Sequence, residues 1–136
     1  MKIATQVAIR RATPNDVVQL TELVEQYRDF YRQERDDKTN QYLIDRISKN
    51  ESVIFVAEID GLLVGFTQCY PTFSTLSLSG IWLLNDLFVD PAYRGQHIAD
   101  QLMQSTEAAA QNSGATRIWL RTAHTNAQAQ ALYEKR

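Results

Sequence analysis

The stretch Ile81-Trp82-Leu83-Leu84-Asn85-Asp86-Leu87-Phe88-Val89 constrains this chain more than any other. It is almost continuously apolar, and Asp90-Pro91 stops it. Such a run, bounded by a proline that cannot continue a ladder, reads as a largely buried strand. A long helix then starts near Gln96 and runs to Asn112, carrying Ile98, Leu102 and Met103 and an alanine-rich second half, with Gly114 as its C-cap. A buried strand feeding directly into a long helix points to an α/β arrangement.

The other segments fit around that pair. Ile9-Arg10-Arg11-Ala12 ends a short strand. Thr13 is placed to N-cap a helix, Pro14 suits its first position, and Asp16 puts a carboxylate in the first turn. Leu20, Leu23, Val24, Tyr27, Phe30 and Tyr31 share one face of that helix. The polar run from Gln33 to Lys38 reads as a loop, and a shorter helix with Tyr42, Leu43, Ile44 and Ile47 ends near Asn50. From Ser52 the period changes: residues 53–59 are β-rich, Asp60-Gly61 is a hairpin turn, and residues 63–70 return. Residues 117–121 form a further strand, and Ala127 to Lys135 a final helix. The order is β-α-α-β-β-β-α-β-α. No repeat or linker interrupts it, and 136 residues fit one domain spanning 1–136.

Charge and cysteine content narrow the function classes. With 14 basic and 16 acidic residues the net charge is −2, which argues against a dedicated nucleic-acid binder. No apolar run approaches the roughly 20 residues of a membrane span, and no signal-peptide core opens the chain. The single cysteine, Cys69, can form neither an internal disulfide nor a multi-cysteine metal site. Together with the two distant histidines, His97 and His124, it gives no metal motif, so no metal is expected. Cys69 reads as a small strand residue, and the setting as a reducing, cytoplasmic one.

The turn Arg94-Gly95-Gln96-His97-Ile98-Ala99 is where chemistry enters. The first turn of a helix has N–H groups without intrahelical partners and the positive end of the macrodipole. With a glycine to turn tightly and an arginine for charge, it can cradle a pyrophosphate. The same residues also fit an ordinary strand-to-helix turn with an exposed arginine.

The order of neighbours decides between these. Asn85-Asp86-Leu87-Phe88-Val89-Asp90-Pro91-Ala92-Tyr93-Arg94-Gly95 followed by a helix resembles the acyl-CoA-binding signature of the GNAT superfamily of N-acetyltransferases. Downstream, the run from Thr125 and Asn126 to Leu132-Tyr133-Glu134-Lys135 resembles that superfamily's later motif, and Ile9-Arg10-Arg11-Ala12-Thr13 with Asp16 its opening. The resemblance covers about residues 7–136. It implies a mixed, mostly antiparallel sheet flanked by helices and splayed between the fourth and fifth strands. Acetyl-CoA is the implied co-substrate. By resemblance, the backbone of Leu87, Phe88 and Val89 pairs with the pantetheine arm, the amides from Arg94 to Ala99 take the pyrophosphate, and Asn126 reaches the cofactor. Tyr133 would sit near the sulfur and act as general acid.

The implied reaction passes an acetyl group directly to a primary amine of a small molecule. An alkylamine with a pKa of about 10 is almost wholly protonated at neutral pH, so a proton must leave before attack. The leaving thiolate needs a proton, and strand N–H groups stabilise the oxyanion between. Likeness to the diamine-type subgroup, in the Asn-Asp-Leu-Phe-Val run and in Cys69-Tyr70-Pro71-Thr72-Phe73, points to polyamine or amino-acid-like acceptors. Glu34, Asp36 and Asp37 either attract that cation or form a solvated loop.

Three departures from the pattern matter. His97 stands where a second glycine is usual. Asn85 occupies a position that is glutamate in some diamine acetyltransferases, which leaves Asp86, acting through a water chain, as the expected base. Strand alternation puts Asn85 and Asp86 on opposite faces, so only one is expected to face the cleft; Glu22, Tyr27 and Asp36 are the alternatives. Finally, members of the family usually continue with two further strands beyond the Tyr-Glu-Lys run. The bare 117–121 edge therefore predicts a homodimer through that strand or the 127–135 helix. The competing reading is a non-catalytic acyl-CoA-binding module, favoured by Asn85 and the short C-terminus and opposed by Tyr133 and Asn126.

Overall fold

A computed structural model describes residues 6–120. Among these residues five strands form one sheet in sequence order: β1 (Ala8–Arg11), β2 (Val53–Ile59), β3 (Leu62–Ser74), β4 (Ser79–Val89) and β5 (Ile118–Leu120). Neighbours run antiparallel except β4 and β5, which are parallel. The helices are α1 (Val17–Phe30), α2 (Thr39–Ser48) and α3 (Ile98–Asn112). This is the mixed α/β architecture expected from the order of segments. The helix expected over 127–135 lies outside the described residues.

Side-chain alternation sorts the core into two layers. Ile54 and Val56 of β2 join Leu20, Leu23 and Leu43 of α1 and α2 on one face. Ala57 and Ile59 join Ile98 and Leu102 of α3 on the other. Gly65 lets α3 come this close: a Cβ there would lie 3.2 Å from Leu102 Cδ1 and 3.0 Å from the Phe88 carbonyl. At the sheet edge, Arg10 ties three elements together, donating to both Asp16 oxygens at 2.8 Å and to Glu58 at 2.6 Å. That guanidinium holds the Asp16 carboxyl down at about 2. Asp16 also accepts the Thr13 N–H at 2.8 Å, so the Thr-Pro-Asn-Asp start works as a 3-10 turn (Pro14–Asp16) leading into α1.

Three expectations shift. The β3–β4 hairpin is longer than the apolar pattern shows, because Pro71 to Ser74 and Ser79-Gly80 pair although they carry no core alternation. The third helix begins at Ile98 rather than Gln96, because His97 adopts a left-handed conformation that a helix cannot include. Phe30, expected on the buried face of α1, is 50% exposed at the helix end.

Candidate active site

The decisive local feature is a bulge in β4. Gln68 pairs with Asp86 and Cys69 with Leu84, so Asn85 is an extra residue with no partner across the ladder. An extra residue reverses the alternation beyond it. Trp82 and Leu84 pack in the cluster that includes Met103 of α3, whereas Phe88 packs against α1. The expectation that Asn85 and Asp86 occupy opposite faces is therefore wrong, since both line the same cleft. Alternation fails here because it presumes an unbroken ladder.

The cleft, of about 320 Å³, lies between α1, the 31–38 loop, α2 and the strands β3 and β4. Asp86, 8% exposed, forms part of its floor. Its two oxygens are each held by an amide: Gln68 donates Nε2 at 2.9 Å and Asn85 donates Nδ2 at 3.0 Å. With its amide nitrogen committed to Asp86, Gln68 is left with a buried Oε1 that accepts no hydrogen bond. Val24, Leu43, Phe66 and Tyr27 supply apolar wall, and Tyr42 and Tyr70 join α2 to β3 through a 2.7 Å hydroxyl contact. Burial, then the Tyr42 hydrogen bond, pushes the Tyr70 hydroxyl far above its ordinary pKa.

The loop side of the cleft is organised by Glu25, a buried carboxylate of α1. It accepts the Thr39 hydroxyl at 2.6 Å and the Asp36 N–H at 3.0 Å, and lies 3.5 Å from Arg28 Nε. Thr39, Asp36 and Arg28 all line the cleft, as does Lys38. Of the alternative bases, Tyr27 and Asp36 do reach it, while Glu22 is engaged by Arg35 on the exposed surface at 2.7 and 2.9 Å. Sequence reading missed Gln68, Tyr42, Arg28 and Glu25. A glutamine within the apolar run Val64–Cys69 was the one available signal, because a buried polar side chain needs a partner.

The turn after β4 is built from main chain. Asp90 accepts the Ala92 N–H at 2.9 Å, a 3-10 turn covers Pro91–Tyr93, and Gly95 and His97 follow with φ of +82° and +61°. Arg94, Gly95, Gln96 and His97 are exposed, Ala99 is half-buried, and the Ile98 side chain is locked in the core. No acidic side chain occurs between Pro91 and Ala99. The first N–H groups of α3 have no carbonyl one turn earlier to accept them, so this surface suits an anion. Open space surrounds the missing Cβ of Gly95.

Arg94 is placed differently from the sequence expectation. Its Nε donates to the Val89 carbonyl at 3.0 Å, and its guanidinium carbon lies 5.6 Å from the Phe88 ring centroid and 5.9 Å from that of Phe30. The arginine thus braces the end of β4 against α1. Alongside, the described part of the β5 ladder pairs Trp82, Leu83 and Leu84 with Ile118, Trp119 and Leu120. From Asp86 to Val89, which includes Leu87 and Phe88, the described ladder partners belong to β3.

Cys69 is fully buried, and burial, then the nearby Asp86 charge, pushes its thiol up to about 12. It is no nucleophile at neutral pH. Among the described residues no cluster of metal-ligating side chains occurs, and no helix is long and apolar enough to cross a membrane. Tyr133, Asn126 and His124 lie outside the described residues.

Comparison with known proteins places the fold among acetyltransferases. The Acetyltransferase (GNAT) family pattern matches residues 20–136. An uncharacterized N-acetyltransferase of Bacillus subtilis, YhfO, is 41% identical over 128 residues, covering 93% of this chain and 86% of that protein. An uncharacterized N-acetyltransferase of Archaeoglobus fulgidus is 32% identical over 133 residues, covering 92% and 88%. Among solved structures, a probable acetyltransferase superposes with a TM-score of 0.88 at 37% identity, over 94% of this chain and 87% of that one. The aminoglycoside N-acetyltransferase AAC(6')-Iy in complex with CoA shares the fold, with a TM-score of 0.83 at 18% identity over 99% and 89%.

Proposed function

This chain belongs to the GNAT family of acetyltransferases and is an N-acetyltransferase, and from that premise we propose that it acetylates a primary amine of a small molecule bound in the Asp86 cleft. The observation that carries the proposal is the β4 bulge, which turns Asp86 into the cleft.

Acetyl-CoA, used throughout the family, brings an acetyl group already activated as a thioester. The donor set between Pro91 and Ala99 fits its pyrophosphate: main-chain N–H groups at a helix start, no acidic side chain, and a glycine with open space above it. The amides of Arg94, Gly95, Gln96, His97, Ile98 and Ala99 are assigned to that group. The backbone of Leu87, Phe88 and Val89 is assigned to the pantetheine arm, and Asn126 to a further cofactor contact.

Acyl transfer to nitrogen makes a C–N bond and breaks a C–S bond. The protein must therefore take protons from an ammonium and deliver one to sulfur. Asp86, held by two amide donors and accessible from the cleft, receives the amine's proton through water. Tyr133 is assigned the proton for sulfur. A polyamine or amino-acid-like acceptor fits a cleft with a carboxylate on its floor. A homodimer through β5 belongs to the same reading, and sedimentation at micromolar concentration tests it. A cytoplasmic setting suits a lone buried thiol.

The test is release of free thiol from acetyl-CoA by the purified chain with a panel of amines. Amine-dependent release in the native protein that collapses in Asp86→Asn supports the assignment. Release that survives unchanged in that variant removes Asp86 from the mechanism.

A further inference from the structure

The charges of the cleft are not scattered, and their arrangement says more about the acceptor than an amine alone. On the floor lie one carboxylate, Asp86, and the unpartnered Gln68 Oε1 beside it. Both call for N–H donors. The middle of the cleft is apolar, with Val24, Leu43 and Phe66 in its walls. At the loop side both signs occur together: Asp36 with Arg28 and Lys38.

A simple diamine satisfies the floor, the wall and Asp36, but offers no anion to Lys38 and Arg28. Glu25 already compensates Arg28 in part, at 3.5 Å from its Nε, whereas Lys38 sits exposed beside Asp36. Asp36 is fixed in place, because its Oδ1 accepts the Lys38 N–H at 2.8 Å, which also keeps its carboxyl ionised below the usual range. A mixed-sign patch of this kind matches a group that itself carries both signs.

Resting on the reading of this cleft as the acceptor site, we propose that the acceptor is an α-amino acid with a primary amine at the end of its side chain. The side-chain amine meets Asp86 and Gln68, its methylenes lie along the apolar wall, its α-ammonium meets Asp36, and its α-carboxylate meets Lys38 and Arg28. A volume of about 320 Å³ stands at the small end of the roughly 300–1,000 Å³ usual for ligand sites, which suits one such chain.

Lysine and cadaverine separate the alternatives, since they differ only in the α-carboxylate. Thiol release from acetyl-CoA is measured with each, in the native protein and in Lys38→Glu. The substitution lies on an exposed residue at the start of α2, where an acidic side chain is compatible with the helix. The native protein should prefer lysine in kcat/KM by about fivefold or more, the scale of a partly exposed ion pair. Lys38→Glu should erase or invert that preference through KM. Equal or better turnover of cadaverine, or a preference indifferent to Lys38→Glu, overturns this inference while leaving the acetyltransferase assignment standing. If neither amine is turned over, calorimetry of lysine on the CoA-loaded protein decides. Saturable binding weakened by Lys38→Glu upholds the amino-acid site and places the failure in the assigned catalytic groups, whereas no binding, or binding indifferent to Lys38→Glu, overturns the inference and leaves the acetyltransferase assignment standing.

Discussion

The two sides of this site are made of different material. The turn from Asp90 to Ile98 is main chain on display: it is largely exposed, and two residues sit in left-handed conformations. The wall formed by α1, α2, β3 and β4 is side chain on display, with Glu25, Gln68 and Asp86 buried and held by named hydrogen bonds. A surface that binds through amides tolerates changes of side chain but not of backbone. One that binds through side chains behaves the opposite way. The first can serve any chain that carries the same cofactor, while the second must change with each acceptor.

The largest effect that can break this contrast is a backbone change on the amide side. Gly95→Pro imposes a φ near −65° where +82° is needed and removes an N–H. Calorimetry should find no measurable CoA binding, and unchanged affinity would refute the assignment of the turn. Tyr133→Phe comes next: turnover should fall by about ten- to a thousandfold with CoA affinity nearly intact, the range of a general acid. Native turnover would pass that role to water or another residue.

A smaller effect probes the side-chain wall. Glu25→Ala leaves the Thr39 hydroxyl and the Asp36 N–H without their acceptor, a loss of about 1–3 kcal/mol if neither finds another. The melting temperature should drop and KM for the amine should rise, with CoA affinity unmoved. A parallel loss of CoA affinity would mean that the two sides are not separable. The smallest effect returns to the turn. His97→Gly removes the left-handed cost of a β-carbon, about 1–2 kcal/mol at most, partly offset by the greater freedom of glycine in the unfolded chain. CoA affinity should hold or improve slightly, and a tenfold loss would show that the imidazole itself is a ligand.

The same contrast explains what could be read from sequence. The amide side was legible because its requirements are local: a buried strand, Asp90-Pro91 as the stop, a glycine at the tight turn and a helix start all fall within about twenty residues. Even there, the direction of Arg94 was not, since its partners Val89, Phe88 and Phe30 are brought together only by the fold. The side-chain wall escaped because its members are far apart in the chain; Gln68 reaches Asp86 across 18 positions, and Glu25 reaches Thr39 across 14. The bulge at Asn85 escaped for a different reason. Register across a ladder is a property of two strands, and periodicity along one of them cannot show that a residue has been inserted.

That bulge also supplies the most direct test of the whole account, because Asp86 lies on the side-chain wall and only a few residues from the amide turn. Asp86→Asn keeps the shape of the carboxyl and removes its charge. CoA titration and thiol release should be measured on the same preparation of that variant. The account predicts CoA affinity within about twofold of the native protein and turnover reduced by about a hundredfold or more. Native turnover, or a loss of CoA affinity large enough to explain the lost rate, would contradict it.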